Sequence, residues 1–437
     1  MISLKNVSKT QLLYMGLVGV FAAALQVQVT VFGSADYPGL RVNLADFMLP
    51  FFGVFILFSL FTRRSRWPVW EKPFGYWAAA ILSAILLFSC LNGFFVTGQW
   101  SQWAVFNKCI GWFILMGYLG AGGWLVQNCG EQAGKIFAFC FLGFFCVGAV
   151  YSFVMHFLLW ETDMPLVYEK VYIEGFMANR NALGFLLMAV MLVAFEFLPH
   201  LNLLKTLYKF AHWIFLALIC GSLLLIASRA LYLCVVFVFA VMALRRGAYF
   251  VKFVLPAFCV GTVLVFLLFP SFTDRLVMPV YQTSILFEEA EEMPAYSANH
   301  QVVRDYDMPR LMIVQDAFEL MRAHPLRGAG LGTALHEQQE TQGKAVAVID
   351  NSLLWVLTEM GPFGLFGFIW VYLVMLAALY GKNKTPLSRA AFWLLLVFGI
   401  FSLFHEILYT RFLWFILGMA LVASIAHPER QEREAQG

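Results

Sequence analysis

Long apolar stretches recur along this chain, and each is about as long as a helix that crosses a membrane. A transmembrane helix needs about 20 mainly apolar residues, so about 12 of them fit in the 437 residues. Hydrophobic residues make up 61% of the chain and charged residues only 13%, which excludes a soluble enzyme and a disordered chain. The sequence therefore predicts an all-α polytopic integral membrane protein.

The predicted spans divide the chain into four parts. They lie near residues 11–32, 44–62, 75–95, 105–126, 136–160, 178–198, 211–227, 230–245, 251–269, 352–379, 389–404 and 411–426. Residues 1–269 thus form a bundle of about nine spans, a long loop covers 270–351, the last three spans lie in 352–426, and 427–437 form a tail. The first span is interpreted as an uncleaved signal anchor, because its apolar run is longer than that of a signal peptide.

Basic residues are concentrated in the loops on the side of the two termini. An even number of spans places both termini on one side, and the positive-inside rule makes the side richer in Lys and Arg cytoplasmic. The opposite side carries most of the acidic residues, including four of the five residues 288–292. Both termini are therefore predicted to be cytoplasmic, with the long loop on the outer side.

The predicted outer loop, residues 270–351, is far longer than most loops, and loops of this length are usually functional. Within it, Arg310–Arg322 has apolar residues at 311, 314, 318 and 321, the spacing of an amphipathic helix. We expect this helix to lie at the membrane surface. It stops at His324-Pro325, and three glycines between 328 and 332 then predict a tight turn.

Two arginines are candidate functional residues, because a charge at membrane depth costs a few kcal/mol unless it is paired or faces water. Arg229 follows Ser228 between two apolar runs and either projects into an outer cavity or snorkels to lipid headgroups. Arg310 begins the surface helix, where the helix dipole disfavours a cation and an anionic partner would offset that cost. A guanidinium suits a diphosphate because it donates hydrogen bonds in a bidentate fork.

Other polar side chains are predicted at the same outer ends of the spans. Asn179, Arg180 and Asn181 suit sugar hydroxyls or phosphate oxygens, or else one of the asparagines simply caps the helix. His405 and Arg411 stand at the outer end of the last pair of spans. Arg411 is either a substrate-binding residue or an anchor at the membrane interface.

Asp350 and Asn351 stand where the long loop meets the next span. A carboxylate here suits acceptance of a proton from a sugar hydroxyl. The alternative is a helix cap, since Asp, Asn and Ser are preferred caps, with Glu359 paired inside the bundle. His324 and His336 are further acid–base candidates in the loop.

Motifs for nucleotides and metals are missing from the sequence. It contains no P-loop, no GxGxxG after a strand, no HExxH and no clustered Cys and His ligands. We therefore expect no cofactor and no metal ion. The net charge of +3 is also too small to suggest nucleic acid as a partner.

Five short motifs in the outer parts of the chain resemble the superfamily of O-antigen ligases and O-antigen polymerases, which are bacterial membrane glycosyltransferases. They occur in the family's order, and the long outer loop lies where it does in that family. The motifs are Gly175–Gly184, Ser228-Arg229, Arg310–Ala317, His324–Gly332 and Asn351–Gly364. The resemblance covers residues 175 to about 370.

The resemblance implies that a glycan is taken from an undecaprenyl diphosphate carrier at the periplasmic face of the bacterial inner membrane. The acceptor would be lipid A core for a ligase or a second lipid-linked glycan for an O-antigen or exopolysaccharide polymerase. By position, Arg229 and Arg310 look like the family's two arginines that hold the carrier diphosphate. The expected substrate-binding residues are Asn179, Arg180, Asn181, His324, Arg327, His336, Asn351 and Arg411.

Asp350 is the main departure from the family, because ligases usually carry a His at this position. A carboxylate still serves as a general base, and its presence favours a polymerase. Direct displacement of the diphosphate predicts inversion at the anomeric carbon without a metal. The alternative is a secondary transporter or a flippase for lipid-linked glycans, which a dozen spans with outer charges also suit.

Overall fold

The computed structural model of the protein consists almost entirely of helices. It describes residues 8–31, 40–62, 65, 67–70, 74–158, 175–177, 180–198, 215–223, 226, 228–268, 313–336, 349, 351–381 and 384–436. The helices are α1 (Lys9–Ala24), α2 (Leu44–Phe61), α3 (Tyr76–Thr97), α4 (Gly111–Cys129), α5 (Glu131–Leu158), α6 (Arg180–Phe197), α7 (215–223), α8 (Arg229–Tyr249), α9 (Leu255–Leu268), α10 (313–323), α11 (Ser352–Leu379), α12 (Pro386–Ser402) and α13 (Arg411–Gln436). Two π-helical segments, Trp103–Ile110 and Phe250–Val254, precede α4 and α9.

Six of the described helical stretches are long and apolar enough to cross a membrane. They are Leu44–Phe61, Tyr76–Thr97, Trp103–Cys129, Gln132–Ser152, Ala230–Val263 and Ser352–Leu379. Four shorter helices, Lys9–Ala24, Asn181–Phe197, Pro386–Ser402 and Arg411–Ala423, are also apolar. The protein is therefore a helical, multi-pass membrane protein, as predicted, while the number of 12 spans and the side of the long loop stay predictions.

The longest of these stretches, Ala230–Val263, folds back on itself. Arg246 has non-helical backbone angles, with φ −144° and ψ 56°. The rings of Phe239 and Phe258 lie with their centroids 5.3 Å apart. A straight helix would separate these two residues by about 28 Å. The chain thus forms two helices joined near Arg246, where the sequence predicts separate spans at 230–245 and 251–269.

The first predicted span, 11–32, is wrong at its C-terminal end. Helix α1 stops at Ala24, and strand β1 (Gln28–Val31) pairs antiparallel with β2 (Leu40–Asn43). Valine alternates with polar residues after Leu25, which is the pattern of a strand with two different faces. This two-stranded hairpin is the sheet present among the described residues.

Helices α4 and α13 form the centre of the bundle and touch backbone to backbone. A Cβ atom added at Gly122 would collide with the carbonyl of Phe415, and one added at Gly418 with the carbonyl of Leu119. Small residues allow this approach, which is how helices in a membrane gain van der Waals contact. The side chains around the contact are buried, including Trp112 packed edge-on against Trp414 at 5.1 Å.

The predicted glycine turn is a loop that enters the bundle between α3 and α11. Helix α11 is broken at Gly361 (φ 71°), and Pro362 has no N–H to donate to the carbonyl of Thr358. Ala329 N–H donates to that carbonyl instead, at 2.9 Å, and Gly330 N–H donates to the carbonyl of Glu359, also at 2.9 Å. The broken helix and the loop therefore satisfy each other's backbone groups, which irregular backbone inside a membrane protein requires.

Side chains of α3 hold the other side of this loop. Ser89 Oγ donates to the carbonyl of Glu359 at 2.8 Å, and Asn92 Nδ2 donates to the carbonyl of Gly328 at 2.9 Å. Ser89 lies about 12 Å along the helix from the end of α3, and Glu359 about 10 Å from the start of α11. The loop thus reaches well below the ends of both helices.

Replacing Gly330 by alanine should lower the free energy of unfolding by about 2 kcal/mol or more. Gly330 has φ +92°, and an added Cβ would lie far inside contact distance of the Gly93 backbone. Unfolding in detergent, followed by circular dichroism, measures the change. Gly143→Ala in α5 is the matched control, because an added Cβ there meets nothing within 4 Å. Equal stability of the two variants would contradict the packing of this loop.

Candidate functional site

Three of the predicted motifs meet at one end of the bundle, where hydrogen bonds link them to His405. Ser228 Oγ, just before α8, donates to Asn181 Oδ1 in the first turn of α6 at 3.3 Å. Asn181 Nδ2 lies 3.2 Å from His405 Nδ1 in the connection between α12 and α13. Ser352 Oγ, at the start of α11, donates to the carbonyl of His405 at 3.0 Å. Asn181 and His405 thus link the beginnings of α6, α8 and α11.

Asn351 is the helix cap of α11. Its side-chain oxygen accepts from the N–H groups of Leu353 and Leu354, both at 3.0 Å, and its Nδ2 donates to the carbonyl of Leu403 at 2.6 Å. The capping alternative therefore holds for Asn351, one position after Asp350. Substrate binding by Asn351 stays a prediction.

Lys108 is a deeply buried cation in this region. It lies in the π-helical segment, its side chain is 3% exposed, and it forms an ion pair with Glu406. Its ammonium nitrogen also lies over the rings of Trp103, Trp355 and Tyr409, at 4.1 to 4.6 Å from their centroids. Aromatic faces and one carboxylate together compensate a cation that would otherwise be costly to bury.

The phenol of Tyr409 completes the surroundings of Lys108. Its hydroxyl donates to the backbone carbonyl of Lys108 at 3.0 Å. Burial, followed by the negative charge of Glu406, raises the pKa of Tyr409 well above its ordinary value. The phenol therefore remains protonated and can act as a donor at any physiological pH.

Glu359 is a second buried carboxylate beside Lys108. It is 1% exposed, accepts from Trp355 Nε1 at 2.6 Å and from the Gly332 N–H at 3.1 Å, and interacts electrostatically with Lys108. The expectation that Glu359 is paired inside the bundle is met by these contacts. The carboxylate of Glu359 therefore connects Gly332 of the glycine loop to Trp355 of α11.

Arg411 forms an internal ion pair with Asp46 of α2. Its Nη2 lies 3.2 Å from Asp46 Oδ2, and both side chains are 11% exposed. Tyr118 donates its hydroxyl to the same carboxylate at 2.7 Å. Arg411 thus fixes the start of α13 against the start of α2, and its predicted role in substrate binding remains a prediction.

The histidines and the arginine of the loop lie around the turn that follows α10. Ala317 and Leu320 of α10 are buried while Glu319 and Arg322 are exposed. The buried face differs from the predicted apolar face, because Phe318 of that face is exposed. His324 is half-buried at the C-terminal end of α10 and Arg327 is exposed. His336 lies with its Nδ1 3.1 Å from Gln99 Nε2, near the end of α3.

Several predicted site residues are not open to a structural account. Asn179, Arg310 and Asp350 lie outside the described residues. For Arg180 and Arg229 the structure describes the backbone alone, which begins α6 and α8. Because Arg229 follows Ser228 directly, the start of α8 lies at the same end of the bundle as His405.

Comparison with protein families identifies the segment that contains most of these motifs. Residues 214–369 match the family described as O-antigen ligase. They belong to the O-antigen ligase family. The resemblance predicted from the motifs is thereby confirmed for this segment. A comparison with curated proteins finds no match.

The O-antigen ligase domain extends from the region of α7 into α11. It includes Ser228-Arg229, α10, the glycine loop, Asn351 and the break at Gly361. The protein is thus a multi-pass membrane protein that contains a segment of the O-antigen ligase type. Asn181, Lys108 and His405 lie outside the matched segment but contact it.

Lys108 is the residue that the sequence analysis missed. It is a basic residue within the apolar stretch Trp103–Cys129. A charge inside a span is a functional candidate by default, and that rule points to Lys108 as well as to Arg229. Its partner Glu406 is 298 residues away, so the pairing itself leaves no local signal in the sequence.

Proposed function

We propose that the protein transfers an oligosaccharide or polysaccharide from an undecaprenyl diphosphate carrier to an acceptor at the periplasmic face of the bacterial inner membrane. It acts as an O-antigen or exopolysaccharide polymerase, or as an O-antigen ligase. The observation that carries the proposal is the link from Ser228 through Asn181 to His405. Together with the bond from Ser352 to His405, this link brings three separate motifs to one end of the bundle.

In this proposal, Arg229 and Arg310 bind the diphosphate of the donor and Asp350 is the general base. The acceptor hydroxyl oxygen attacks the anomeric carbon while its proton passes to Asp350. The bond from that carbon to the diphosphate oxygen breaks, and the electron pair leaves with the diphosphate. The two guanidinium groups stabilise the charge that develops there, and the configuration at the anomeric carbon inverts.

The remaining polar residues position the reacting groups. Asn181 and His405 are held by Ser228 and Ser352, and the Lys108–Glu406 ion pair fixes the connection that carries His405. A site supported by such contacts keeps its geometry better than one on a free loop. His324, Arg327 and His336 line the adjoining turn, where we place the sugar units of the donor or acceptor.

The apolar tail of the carrier needs a lateral groove among the helices. A cavity of about 510 Å³ lies between α2, α3 and α4 and is lined mainly by apolar side chains, including Phe52, Phe113 and Trp124. The cavity lies toward the end of the bundle away from the polar site, with Trp67 and Tyr76 in its lining. It therefore suits the distal part of a polyprenyl chain whose diphosphate is bound at the site.

The break in helix α11 bears on the alternative function of a transporter or flippase. Transporters bind substrate or ions at broken helices near the middle of the membrane, and α11 is broken at Gly361. Here, however, the carbonyls of Thr358 and Glu359 already accept from Ala329, Gly330 and Ser89. The break is therefore filled by the protein's own backbone, which favours the transferase.

Transfer by the purified protein tests the proposal. The protein is supplied with an undecaprenyl diphosphate oligosaccharide and with either lipid A core or a second lipid-linked repeat, and products are resolved by gel and mass spectrometry. A ladder of repeats indicates a polymerase, and a shift of the core indicates a ligase. Movement of the glycan across vesicles, with no new glycosidic bond in either reaction, would overturn the proposal in favour of the transporter.

A further inference from the structure

A cluster of three arginines surrounds one buried glutamate at the other end of the bundle. Glu196, near the end of α6, is fully buried. Arg245 Nη1 lies 2.6 Å from its Oε1, Arg389 Nε 2.8 Å from its Oε2, and Arg246 Nη2 3.8 Å from its Oε2. The ends of α6 and α8 and the start of α12 therefore meet at this carboxylate.

The cluster carries more positive than negative charge. In the described part of the chain, Glu196 is the carboxylate paired with these arginines, so three guanidinium groups share one negative charge. Their other hydrogen bonds go to neutral carbonyls, from Arg246 to Phe195 at 2.8 Å and from Arg389 to Lys384 at 2.6 Å. Among the described residues, two of the three positive charges therefore have no counter-charge.

The three guanidinium groups are partly accessible to solvent, and two of them are held in place by aromatic rings. The side chains of Arg245, Arg246 and Arg389 keep 33%, 27% and 20% of their surface exposed. Arg245 lies over the ring of Trp393 at 5.6 Å, and Arg246 over the ring of Phe195 at 4.8 Å. Packing on aromatic rings holds the planar groups in place, which lowers the entropy lost when they bind an anion.

The position of the cluster suggests where that anion comes from. Along α6, α8 and α12 the cluster lies about 24 Å from Asn181, Ser228 and His405. Since the hydrocarbon core of a bilayer is about 30 Å thick, the two ends of the bundle lie near opposite headgroup layers.

We propose that Arg245, Arg246 and Arg389 bind the phosphate of an anionic phospholipid headgroup, with Glu196 holding the three guanidinium groups together. Guanidinium groups donate to phosphate oxygens in pairs, and basic pockets between transmembrane helices are suited to anionic headgroups. The site is separate from the proposed site of glycan transfer and does not depend on that function.

Lipid retention by the full-length protein tests this site. The protein is reconstituted in nanodiscs that contain phosphatidylcholine and phosphatidylglycerol and is then released into a mild detergent. Native mass spectrometry measures which of the two lipids stays bound to it. We expect Arg246→Gln to reduce the preference for phosphatidylglycerol about tenfold. Arg246 is the most distant of the three from Glu196, so its loss disturbs the folded state least. Arg245→Gln provides a second variant with the same expected direction.

Lys252→Gln is the matched control, because it removes a positive charge from an exposed side chain at the same end of the bundle. A similar loss in the control and in Arg246→Gln would mean general attraction of anionic lipid, and would overturn the site. Inorganic phosphate is added in a separate arm. If phosphate displaces phosphatidylglycerol at millimolar concentration, the site takes free phosphate and the assignment to a lipid headgroup is wrong.

Discussion

Alanine in place of Arg310 should lower the rate of glycan transfer about a hundredfold or more, while the amount of protein in the membrane stays unchanged. The proposed reaction places negative charge on the departing diphosphate, and loss of one donor to such a charge typically costs this much. Arg229→Ala should have the same effect. The measurement is the yield and length of glycan made by purified variants from a carrier-linked donor.

Arg322→Ala is the control for this prediction. Arg322 is exposed in α10, the same helical region that Arg310 is predicted to begin, so the change removes an equal charge from a nearby position. Transfer by this variant should stay near the unaltered rate. If Arg310→Ala and Arg229→Ala also give normal glycan length and yield, the diphosphate is bound elsewhere.

Replacing Lys108 by methionine should lower the free energy of unfolding by about 3 kcal/mol. The ammonium group compensates Glu406 and interacts with Glu359, and both carboxylates stay in place when it is removed. Methionine fills similar space among Trp103, Trp355 and Tyr409, so the effect reports the lost charge rather than a cavity. Denaturation in mixed micelles, followed by tryptophan fluorescence, measures the difference.

A double variant distinguishes the effect of the uncompensated charge from a general disturbance of side-chain packing. Glu406→Gln in the Lys108→Met background removes the uncompensated charge and should restore part of the lost stability. Lys252→Met, at an exposed position, should change stability by less than about 0.5 kcal/mol. A Lys108→Met variant as stable as Lys252→Met would show that the buried pair contributes nothing to the fold.

The sequence predicts local features of this protein well. The helix α10, the turn after His324 and the two helices on either side of Arg246 each depend on a pattern within about 20 residues. The grouping of Asn181, Ser228 and His405 is not visible in such patterns, because these residues are far apart in the chain. The family resemblance of the motifs that contain Asn181 and Ser228 implies one shared site, and the hydrogen bonds of Asn181 with Ser228 and His405 give that site a geometry.

Pairs of charges were harder to predict than single charges. Arg411 has two plausible roles in the sequence, and its actual partner, Asp46, belongs to the second helix. Asp350 and Asn351 are equally good caps by composition, so which of them caps α11 depends on where the helix begins. Such choices are made by tertiary packing, which a single sequence does not reveal.

The loop held between α3 and α11 also sets an order of events during synthesis. Ser89 and Asn92 of α3 bond to backbone groups that follow them by 270 and 236 residues. At about 5 to 20 residues per second, a ribosome needs roughly 15 to 50 s to make that length of chain. Throughout this interval α3 is already complete, and its hydroxyl and amide must use other partners. The exchange of those partners for the loop therefore belongs to a late stage of biogenesis, after α11 has been inserted.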